Sequence, residues 1–357
     1  MIIRNNSTPH ILVTGGSGFV GSALVKGLLA SHPTWRISVL DIQPPKPDII
    51  HKLHDFLAVD ITSPFSFASY HPDLVVHTAG FVPAGKARYS TNEADWQRVK
   101  SINYDGTRNV VNAALASGCK RFVYTSSCTV VVDDLEHDYF YMNDSSVSSG
   151  RASLHYGRSK ALAEDYVLSS VHAEKGFKAC ILRPCSIIGE GDTAVIGVLH
   201  SLIARGETNF VLGNGDNLYD VLYISNAVDA HILAVENLLS TLPTTAGEIF
   251  FISNGEPVYF FDFLTFVWAQ FGHYPAWKIR IPAGVAGAMA FLAEWVGWAV
   301  RNESTFSRGS VKDGIGTRYA SIEKAKRILG YVPKVSISEG IRRACADYEK
   351  QLKAQAG

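Results

Sequence analysis

The segment TGGSGFVG at residues 14–21 constrains the fold of this 357-residue chain more than any other feature. Its glycines Gly15, Gly18 and Gly21 lie three residues apart, between the apolar run His10–Thr14 and a helical pattern. Glycines in this setting let the chain turn tightly and let backbone N–H groups approach a pyrophosphate at the helix N-terminus. The segment therefore predicts a βαβ unit with a dinucleotide site.

Short β-branched runs alternate with helical patterns along residues 1–190. We predict strands at His10–Thr14, 36–40, 56–59, Leu74–His77, Arg121–Thr125 and 179–183. Continuous apolar strands that alternate with helices are typical of a parallel sheet covered on both faces. The predicted fold is α/β: a Rossmann-type doubly wound parallel sheet with a smaller, mostly helical C-terminal substrate-binding region.

Composition excludes several functional classes. The chain is 47% hydrophobic and 18% charged, which excludes a disordered protein. Lys+Arg and Asp+Glu are 33 each, so there is no basic field for a nucleic acid. Five cysteines without CxxC spacing argue against a zinc site or a disulfide framework and for a reducing compartment. No apolar signal opens the chain, so we expect a cytoplasmic location. No HxxxH spacing or carboxylate cluster accompanies the histidines, so we expect no bound metal.

Asp41 ends the second predicted strand, 20 residues after Gly21. A carboxylate there accepts hydrogen bonds from the ribose hydroxyls of the adenosine, although a turn aspartate ahead of Pro44 has the same pattern. No arginine follows at Ile42 or Gln43 to receive a 2′-phosphate, which favours NAD over NADP. Further cofactor contacts are predicted in the glycine loop and after the third and fourth strands, at Ser17, Phe19, Val20, Asp60, Ile61, Thr78, Ala79 and Gly80.

Tyr156 and Lys160 form a YxxxK pair on a predicted helix. Residues four apart share a helix face, and a nearby ammonium lowers the pKa of a phenol from its ordinary value of about 10. A surface Tyr–Lys pair has the same spacing. The catalytic interpretation is favoured because the pair follows a dinucleotide fingerprint and Thr125-Ser126-Ser127, at the end of the fifth predicted strand.

These motifs together resemble the extended short-chain dehydrogenase/reductase family. The matching segments of the first half are TGGSGFVG, Asp41, HTAG (77–80), INYDGTRNVVNAA (102–114), VYTSSCTVV (123–131), YGRSK (156–160) and ILRPCSIIGEGD (181–192). Residues 212–234 and 317–340 are similar to the branch of 3β-hydroxysteroid dehydrogenases and sterol-4α-carboxylate 3-dehydrogenases.

The resemblance implies a role for each matching residue. Ser127 would hydrogen-bond the substrate oxygen, with Ser126 as its rival. Tyr156 would be the general acid/base, and Lys160 would lower its pKa and hold the nicotinamide ribose. Asn103 would hold a proton-relay water, unless it is a polar helix residue facing solvent. Further cofactor contacts would come from Thr125, Tyr156, Lys160, Pro184, Ser186 and Ile187.

Substrate contacts are predicted in segments that depart from the family pattern. Residues 81–89 follow the fourth strand, and the polar stretch 133–153 is expected to form a loop at the substrate mouth. The residues that we assign to substrate binding are Phe81, Val82, Ser127, Thr129, Tyr156, Phe291 and Trp295.

The predicted regions interleave, because no Pro- or Ser-rich linker separates them. The NAD-binding domain covers residues 8–190 and takes a return segment at about 218–255. The substrate-binding region covers 191–217 and 256–340, and a C-terminal helix covers 341–357.

The apolar stretch at 281–300 carries a single charge, Glu294, and is predicted to be a helix that covers the substrate site rather than a membrane span. We expect one face with Val285, Met289, Leu292 and Val296 to pack on the core, and an adjoining face with Phe291, Trp295 and Trp298 to line the pocket. Peripheral contact with the endoplasmic reticulum membrane stays open, since Trp favours that interface. A homodimer is expected.

The resulting prediction is an NAD-dependent oxidoreductase that interconverts a secondary alcohol and a ketone. The expected substrate is apolar and ring-bearing: a 3β-hydroxysteroid, a 4-carboxysterol or a polycyclic secondary metabolite. Loss of CO2 follows where a carboxylate lies β to the new ketone. A nucleotide-sugar 4-epimerase or dehydratase with bound NAD shares the first-half motifs. A non-catalytic dinucleotide sensor keeps the glycine loop but often lacks the Tyr–Lys pair.

Overall fold

The structure, a computed structural model, describes residues 8–143, 152–174, 176–299 and 306–356. Its strands, in chain order, are β1 (His10–Thr14), β2 (Arg36–Asp41), β3 (Asp55–Ala58), β4 (Leu74–His77), β5 (Arg121–Thr125), β6 (Tyr139–Met142), β7 (Lys178–Pro184), β8 (Ser186–Ile188), β9 (Phe210–Leu212), β10 (Leu218–Tyr219), β11 (Val221–Tyr223), β12 (Ile249–Ile252), β13 (Val258–Tyr259), β14 (Ile279–Ile281) and β15 (Arg318–Ala320).

The α-helices alternate with the longer strands and then dominate the C-terminal third of the chain. They are α1 (Phe19–Ser31), α2 (Pro47–Ile50), α3 (Glu93–Lys100), α4 (Gly106–Ala116), α5 (His155–Ala173), α6 (Ile196–Ala204), α7 (Ile224–Leu239), α8 (Phe260–Gln270), α9 (Ala283–Ala299), α10 (Arg308–Ile315) and α11 (Ile337–Ala356).

Seven strands form one parallel sheet in the spatial order β12-β7-β5-β4-β1-β2-β3. From β1 the chain builds outward through β2 and β3, and it then returns to β4 on the other side of β1. The predicted doubly wound sheet is thus confirmed. Open sheets of this kind bind ligands at the carboxyl ends of the strands, where the winding direction changes. Here that point lies between β1 and β4.

Alternate residues of the central strands pack into two separate cores, as the period of a β-strand requires. Ile11 and Val13 face the core beneath α1 and α7. Leu12 faces the opposite core, which includes Val110 of α4 and Val167 of α5. Both faces of the sheet are therefore covered, and its carboxyl edge is left to form the site.

The helical segment that precedes β5 is interrupted. Helix α3 ends at Lys100, and residues Ser101–Asp105 form a wider π-helical turn before α4 begins. Gly106 follows that turn, and a Cβ there would come within 2.8 Å of Ile61 Cδ1. The side chain of Asn103, in the middle of the π turn, is completely buried. Its hydrogen bonds to Phe81 and Ser159 account for the interruption of the helix.

The substrate-binding region contains more β structure than the predicted helical architecture. Helices α6, α8 and α11 share a core with Phe261, Trp268 and Ile341. Beside it lie a four-stranded sheet of order β13-β10-β15-β6 and the strand pairs β11–β8 and β14–β9. In addition, Ile322 and Leu329 pack in the core of the seven-stranded sheet, so the main domain includes part of the segment that we assigned to the substrate-binding region.

Helix α9 packs by its small residues, contrary to the prediction. Ala286 and Ala290 are fully buried in a cluster with Val311 of α10. The predicted packing of the large apolar residues on the core is wrong, because small side chains allow the two helices to approach closely. The large residues Val285, Met289, Phe291, Leu292 and Trp295 are exposed. Val296 and Trp298 have side chains outside the described part. No helix in the described part of the chain is long and apolar enough to span a membrane.

Candidate active site

The glycine loop joins β1 to α1 in a conformation that excludes side chains. Gly15 has φ +72°, and a Cβ there would lie 2.5 Å from the backbone of Ala79. A Cβ at Gly21 would lie 2.0 Å from the carbonyl oxygen of Gly15. Gly18 precedes α1 and offers no side-chain cap, so the first N–H groups of this 13-residue helix are left for another acceptor. This loop fits the pyrophosphate of a dinucleotide.

Asp41 closes the loop from the end of β2. Its carboxylate accepts hydrogen bonds from the backbone N–H groups of Ser17 (3.0 Å) and Gln43 (3.1 Å). Ser17 also donates from its hydroxyl to the Gln43 carbonyl at 2.7 Å. The carboxylate thus combines a turn-stabilising role with a position beside the glycine loop, where ribose hydroxyls are additional donors. Ile42, which follows it, is exposed and uncharged.

Thr78, Ala79 and Gly80 follow β4 directly beside the glycine loop. The Thr78 hydroxyl donates to the Thr14 carbonyl at 2.8 Å. A Cβ added at Gly80 would lie 3.2 Å from the Lys160 ammonium nitrogen, so the missing side chain at Gly80 leaves room for that ammonium. These three residues therefore lie at the predicted cofactor edge.

The cofactor residues predicted after β3 and β7 have structural partners of their own. Asp60 is exposed and accepts from the Thr62 N–H, whereas Ile61 is buried against Gly106. Ser186 bonds the Tyr219 hydroxyl. Pro184 ends β7, and Ile187 packs against the main core. Their contacts with a cofactor remain predictions.

Ser127 and Tyr156 meet at the carboxyl edge of the sheet. Ser127 caps the turn after β5, where its hydroxyl oxygen accepts from the Thr129 N–H (3.2 Å) and hydroxyl (2.9 Å). Burial raises the pKa of Tyr156 to about 12, while a hydrogen bond from Ser127 lowers it. The rival Ser126 is buried, and its hydroxyl has no partner in the described part of the chain. The geometry favours Ser127 as the group beside the acid/base.

Lys160 lies one helical turn after Tyr156 on α5 and is 3% exposed. Its ammonium donates to the Thr125 carbonyl at 2.9 Å, and burial lowers its pKa to about 8. We predicted that Lys160 lowers the pKa of Tyr156. In this structure the largest effect on that pKa is burial, which raises it. The ammonium lies beside Gly80, and its contact with a ribose hydroxyl stays a prediction.

Asn103 is fully hydrogen-bonded inside the protein. Its amide oxygen accepts from the Phe81 N–H at 2.7 Å, and its amide nitrogen donates to the Phe81 carbonyl (2.9 Å) and to the Ser159 hydroxyl (3.0 Å). The solvent-facing alternative is therefore wrong. In this structure Asn103 fixes the start of the 81–89 segment against α5, and its contact with a relay water stays a prediction.

The predicted substrate residues divide into two groups. Thr129 and Phe81 lie next to Ser127 and Asn103, respectively. Val82 is 53% exposed at the edge of the same segment. The structure does not bring Phe291 and Trp295 to these residues, since both side chains are more than half exposed on α9.

A cluster of charges on the substrate side was missed by sequence reasoning. Arg88 donates to Asp313 from Nε (3.1 Å) and Nη2 (3.0 Å), and the Tyr89 hydroxyl donates to the same carboxylate oxygen at 2.8 Å. Arg318 pairs with the other oxygen of Asp313. The segment 81–89 was expected at the substrate, but its partner lies 225 residues further along the chain.

A cleft of about 570 Å³ adjoins this cluster. Its walls include Tyr89, Leu154, Glu294 and Lys312, but neither Ser127 nor Tyr156. Leu154 lies two residues before Tyr156 in the sequence and directly precedes α5. The described part of the chain holds no group of three or more His, Cys, Asp or Glu side chains placed to bind a metal ion.

The fold and the site define a class: a Rossmann sheet with a glycine loop, a carboxylate at the end of the second strand and a Ser–Tyr–Lys set is typical of a short-chain dehydrogenase/reductase. The sequence profile of the 3-beta hydroxysteroid dehydrogenase/isomerase family matches residues 12–283. The chain belongs to that family. It is an NAD-dependent oxidoreductase acting on CH–OH groups, and the sensor alternative is set aside.

Three relatives are similar along nearly the whole chain. The decarboxylating sterol-4-alpha-carboxylate 3-dehydrogenase of Schizosaccharomyces pombe is 36% identical, covering 94% of this chain and 97% of that protein. Its Saccharomyces cerevisiae counterpart is 32% identical (96% and 98% covered), and the Homo sapiens enzyme is 30% identical (97% and 90% covered).

Solved structures show the same fold at lower identity. UDP-glucuronic acid 4-epimerase from Bacillus cereus superposes with a TM-score of 0.71 at 21% identity, covering 96% of this chain and 99% of that one. UDP-glucose 4-epimerase from Thermus thermophilus gives 0.70 at 21% identity, covering 95% and 99%. These similarities establish the fold alone.

Proposed function

We propose that this enzyme oxidises the 3β-hydroxyl of a sterol that carries a 4α-carboxylate and that the product loses CO2. The observation that carries the proposal is the similarity, along nearly the whole chain, to three enzymes named sterol-4-alpha-carboxylate 3-dehydrogenase. The site supplies the groups that this chemistry needs, because a hydroxyl must be deprotonated while a hydride leaves its carbon.

A bound NAD⁺ would supply the acceptor for the hydride. Tyr156 takes the proton of the substrate hydroxyl, and Ser127 hydrogen-bonds the oxygen as it becomes a carbonyl. Lys160, Gly80 and the glycine loop hold the cofactor, and Asp41 selects a ribose without a 2′-phosphate. A ketone at C3 makes the substrate a β-keto acid. When the C4–carboxyl bond breaks, CO2 leaves and the electron pair enters an enolate whose oxygen Ser127 and Tyr156 would stabilise. A proton from water then bonds to C4 and gives the 3-ketosterol.

The test is a comparison of three substrates with the purified protein and NAD⁺. We expect NADH and a 3-ketosterol from a 4α-carboxy-3β-hydroxysterol, with one CO2 released for each NADH, and slower oxidation of the 3β-hydroxysterol without the carboxylate. Oxidation of neither sterol, together with interconversion of UDP-glucose and UDP-galactose, would overturn the proposal in favour of the nucleotide-sugar epimerase.

We infer further that the enzyme is a cytoplasmic homodimer in peripheral contact with the endoplasmic reticulum membrane. Support for the membrane contact comes from the apolar residues exposed on α9, among them Leu292 and Trp295. Vesicle sedimentation tests the membrane contact: the wild type should sediment with phosphatidylcholine vesicles more than Leu292→Ala/Trp295→Ala, and equal binding would contradict the contact.

Light scattering tests the homodimer: it should give twice the chain mass of 38.9 kDa.

A further inference from the structure

We propose that Arg88 is the residue that recognises the carboxylate of the substrate. This inference rests on the proposed function and assigns one of its specificity contacts. The carboxylate is bonded to the carbon next to the one that is oxidised, so whatever binds it must lie beside Tyr156. The site must also supply a cation, since a carboxylate taken out of water needs a charged partner.

The position of Arg88 meets the first requirement. It lies in the 3₁₀ turn Gly85–Tyr89, which packs against α5. The segment that leads to this turn starts at Gly80, beside Lys160, and Asn103 fixes its Phe81 backbone. Burial has the largest effect on the pKa values of Tyr156 and Tyr219 and raises both. The positive charge of Arg88 is among the effects that lower these two pKa values. The charge of Arg88 therefore stabilises the ionised form of the Tyr156 phenol.

The hydrogen-bonding state of Arg88 meets the second requirement. Asp313 accepts from Nε and Nη2, both through its Oδ2 oxygen. The Nη1 group has no partner in the described part of the chain, and the side chain is 32% exposed. A guanidinium has five N–H donors in a fixed plane and can bind two carboxylates at once. Arg88 thus keeps a donor edge free for an anion.

The charge of the cluster also favours an anionic ligand. Arg88 and Arg318 share Asp313 as their only ion-pair partner in the described part, so two positive charges face one negative charge. Asp313 is held in place by the Tyr89 hydroxyl and by Arg318, whose side chain is 10% exposed. One uncompensated positive charge remains in a partly buried site, and a substrate carboxylate would neutralise it.

Binding through Arg88 has a consequence for turnover. The carboxylate holds C3 against Tyr156 during oxidation. When CO2 then leaves, the 3-ketosterol product no longer carries the anion that Arg88 binds. The product should therefore bind more weakly than the substrate, which assists its release.

The experiment compares two substrates in two proteins. The substrates are the 4α-carboxy-3β-hydroxysterol and its 4α-carboxamide, which keeps the shape without the negative charge. Charge-assisted hydrogen bonds to the acid should make the wild-type kcat/KM about 10- to 100-fold higher for the acid than for the amide. In Arg88→Gln the preference for the acid over the amide should largely disappear, because kcat/KM for the acid should fall far more than kcat/KM for the amide. Arg88→Lys, which keeps the charge but not the planar donor edge, should retain part of it.

The controls separate this role from a structural one. Arg108→Gln removes an exposed guanidinium that contacts Tyr104 and Tyr166, and it should leave the preference unchanged. An equal loss for acid and amide in Arg88→Gln would show a structural role and overturn the inference. If Arg88→Gln does not fold, the wild type decides: equal kcat/KM for acid and amide overturns it. A wild type that oxidises no 3β-hydroxysterol overturns the proposed function, and this inference with it.

Discussion

The two sides of the active site are assembled over different distances along the chain. At the dinucleotide side, Asp41 bonds the Ser17 N–H across 24 residues, and the contacting elements β1, α1 and β2 are consecutive. On the substrate side, Arg88 and Tyr89 bond Asp313 across 225 and 224 residues. A short motif therefore encodes the first side, whereas the second side exists only after the whole chain has folded.

The local side and the long-range side also have different proposed roles. In the proposed function, glycines and a carboxylate in fixed local geometry bind the part of the cofactor that is common to many enzymes. The substrate side is built from loops and short strands that hold specific charges. Tyr156 and Lys160 lie between them on α5, with Ser127 opposite, so changes on each side should affect different measured constants.

Tyr156→Phe should have the largest effect, because it removes the proton carrier where the two sides meet. We expect kcat to fall by about 10²- to 10⁴-fold, the usual effect of losing a general acid/base. The dissociation constant for NAD⁺ should be nearly unchanged, since the ring remains. The matched control is Tyr166→Phe on the same helix, whose hydroxyl bonds Asn112 at the surface. Near-normal turnover of Tyr156→Phe would disprove the assignment.

Gly15→Ala should disrupt the dinucleotide side alone. Its φ of +72° strains any L side chain by about 1–2 kcal/mol, and a Cβ would meet the Ala79 backbone at 2.5 Å. The loop must shift, so the dissociation constant for NAD⁺, measured by calorimetry, should rise by at least ~10-fold. In Gly247→Ala, where φ is +83° and no atom lies within 4 Å, only the strain is added. Equal affinities in the two variants would contradict the proposed role of the loop.

Asp41→Asn should change cofactor choice and leave the substrate side intact. Loss of charged acceptors for the ribose hydroxyls should lower kcat/KM for NAD⁺ by roughly 10-fold, and removal of a negative charge should improve NADP⁺ use. Asp48→Asn is the control, because that exposed carboxylate pairs with Lys26 at the surface. Unchanged ratios of NAD⁺ to NADP⁺ use in Asp41→Asn would show that another residue selects the cofactor.

Lys160 should give the smallest effect, a change of stability with pH. Burial lowers its pKa to about 8 from 10.5, so above pH 8 the folded protein has released a proton that the unfolded chain still binds. The free energy of unfolding therefore gains a contribution that rises with pH through this window. Urea titrations at pH 7.5 and 9.5, without added dinucleotide, should show the wild type gaining stability relative to Lys160→Met. A constant difference would place the Lys160 pKa outside the window.

The features that sequence analysis predicted are those with local causes. The strands β1, β4 and β5 have the predicted bounds, because each is a short apolar run ended by polar or glycine residues. The Gly15 turn and the Tyr156–Lys160 spacing follow from backbone geometry that neighbouring residues determine.

The features that it missed depend on distant partners. The strand β15 contains only three residues and pairs with β6, where Arg318 is opposite Tyr139. The three residues of β15 are too few to predict a strand by themselves, and β6 lies in the stretch 133–153, which we expected to form a loop. The π turn at Asn103 reflects its hydrogen bonds to Phe81 and Ser159, and the ion pair of Arg88 with Asp313 has no pattern in the sequence.

In the proposed function, this enzyme oxidises C3 of a 4α-carboxysterol by transfer of a hydride to NAD⁺. A substrate deuterated at C3 tests it most directly. Mass spectrometry of the products should show one deuterium in the released NADH, none at C3 of the ketosterol, and no transfer above background with Tyr156→Phe. Unlabelled NADH, or deuterium that stays on the substrate while no NADH is released, would contradict the account.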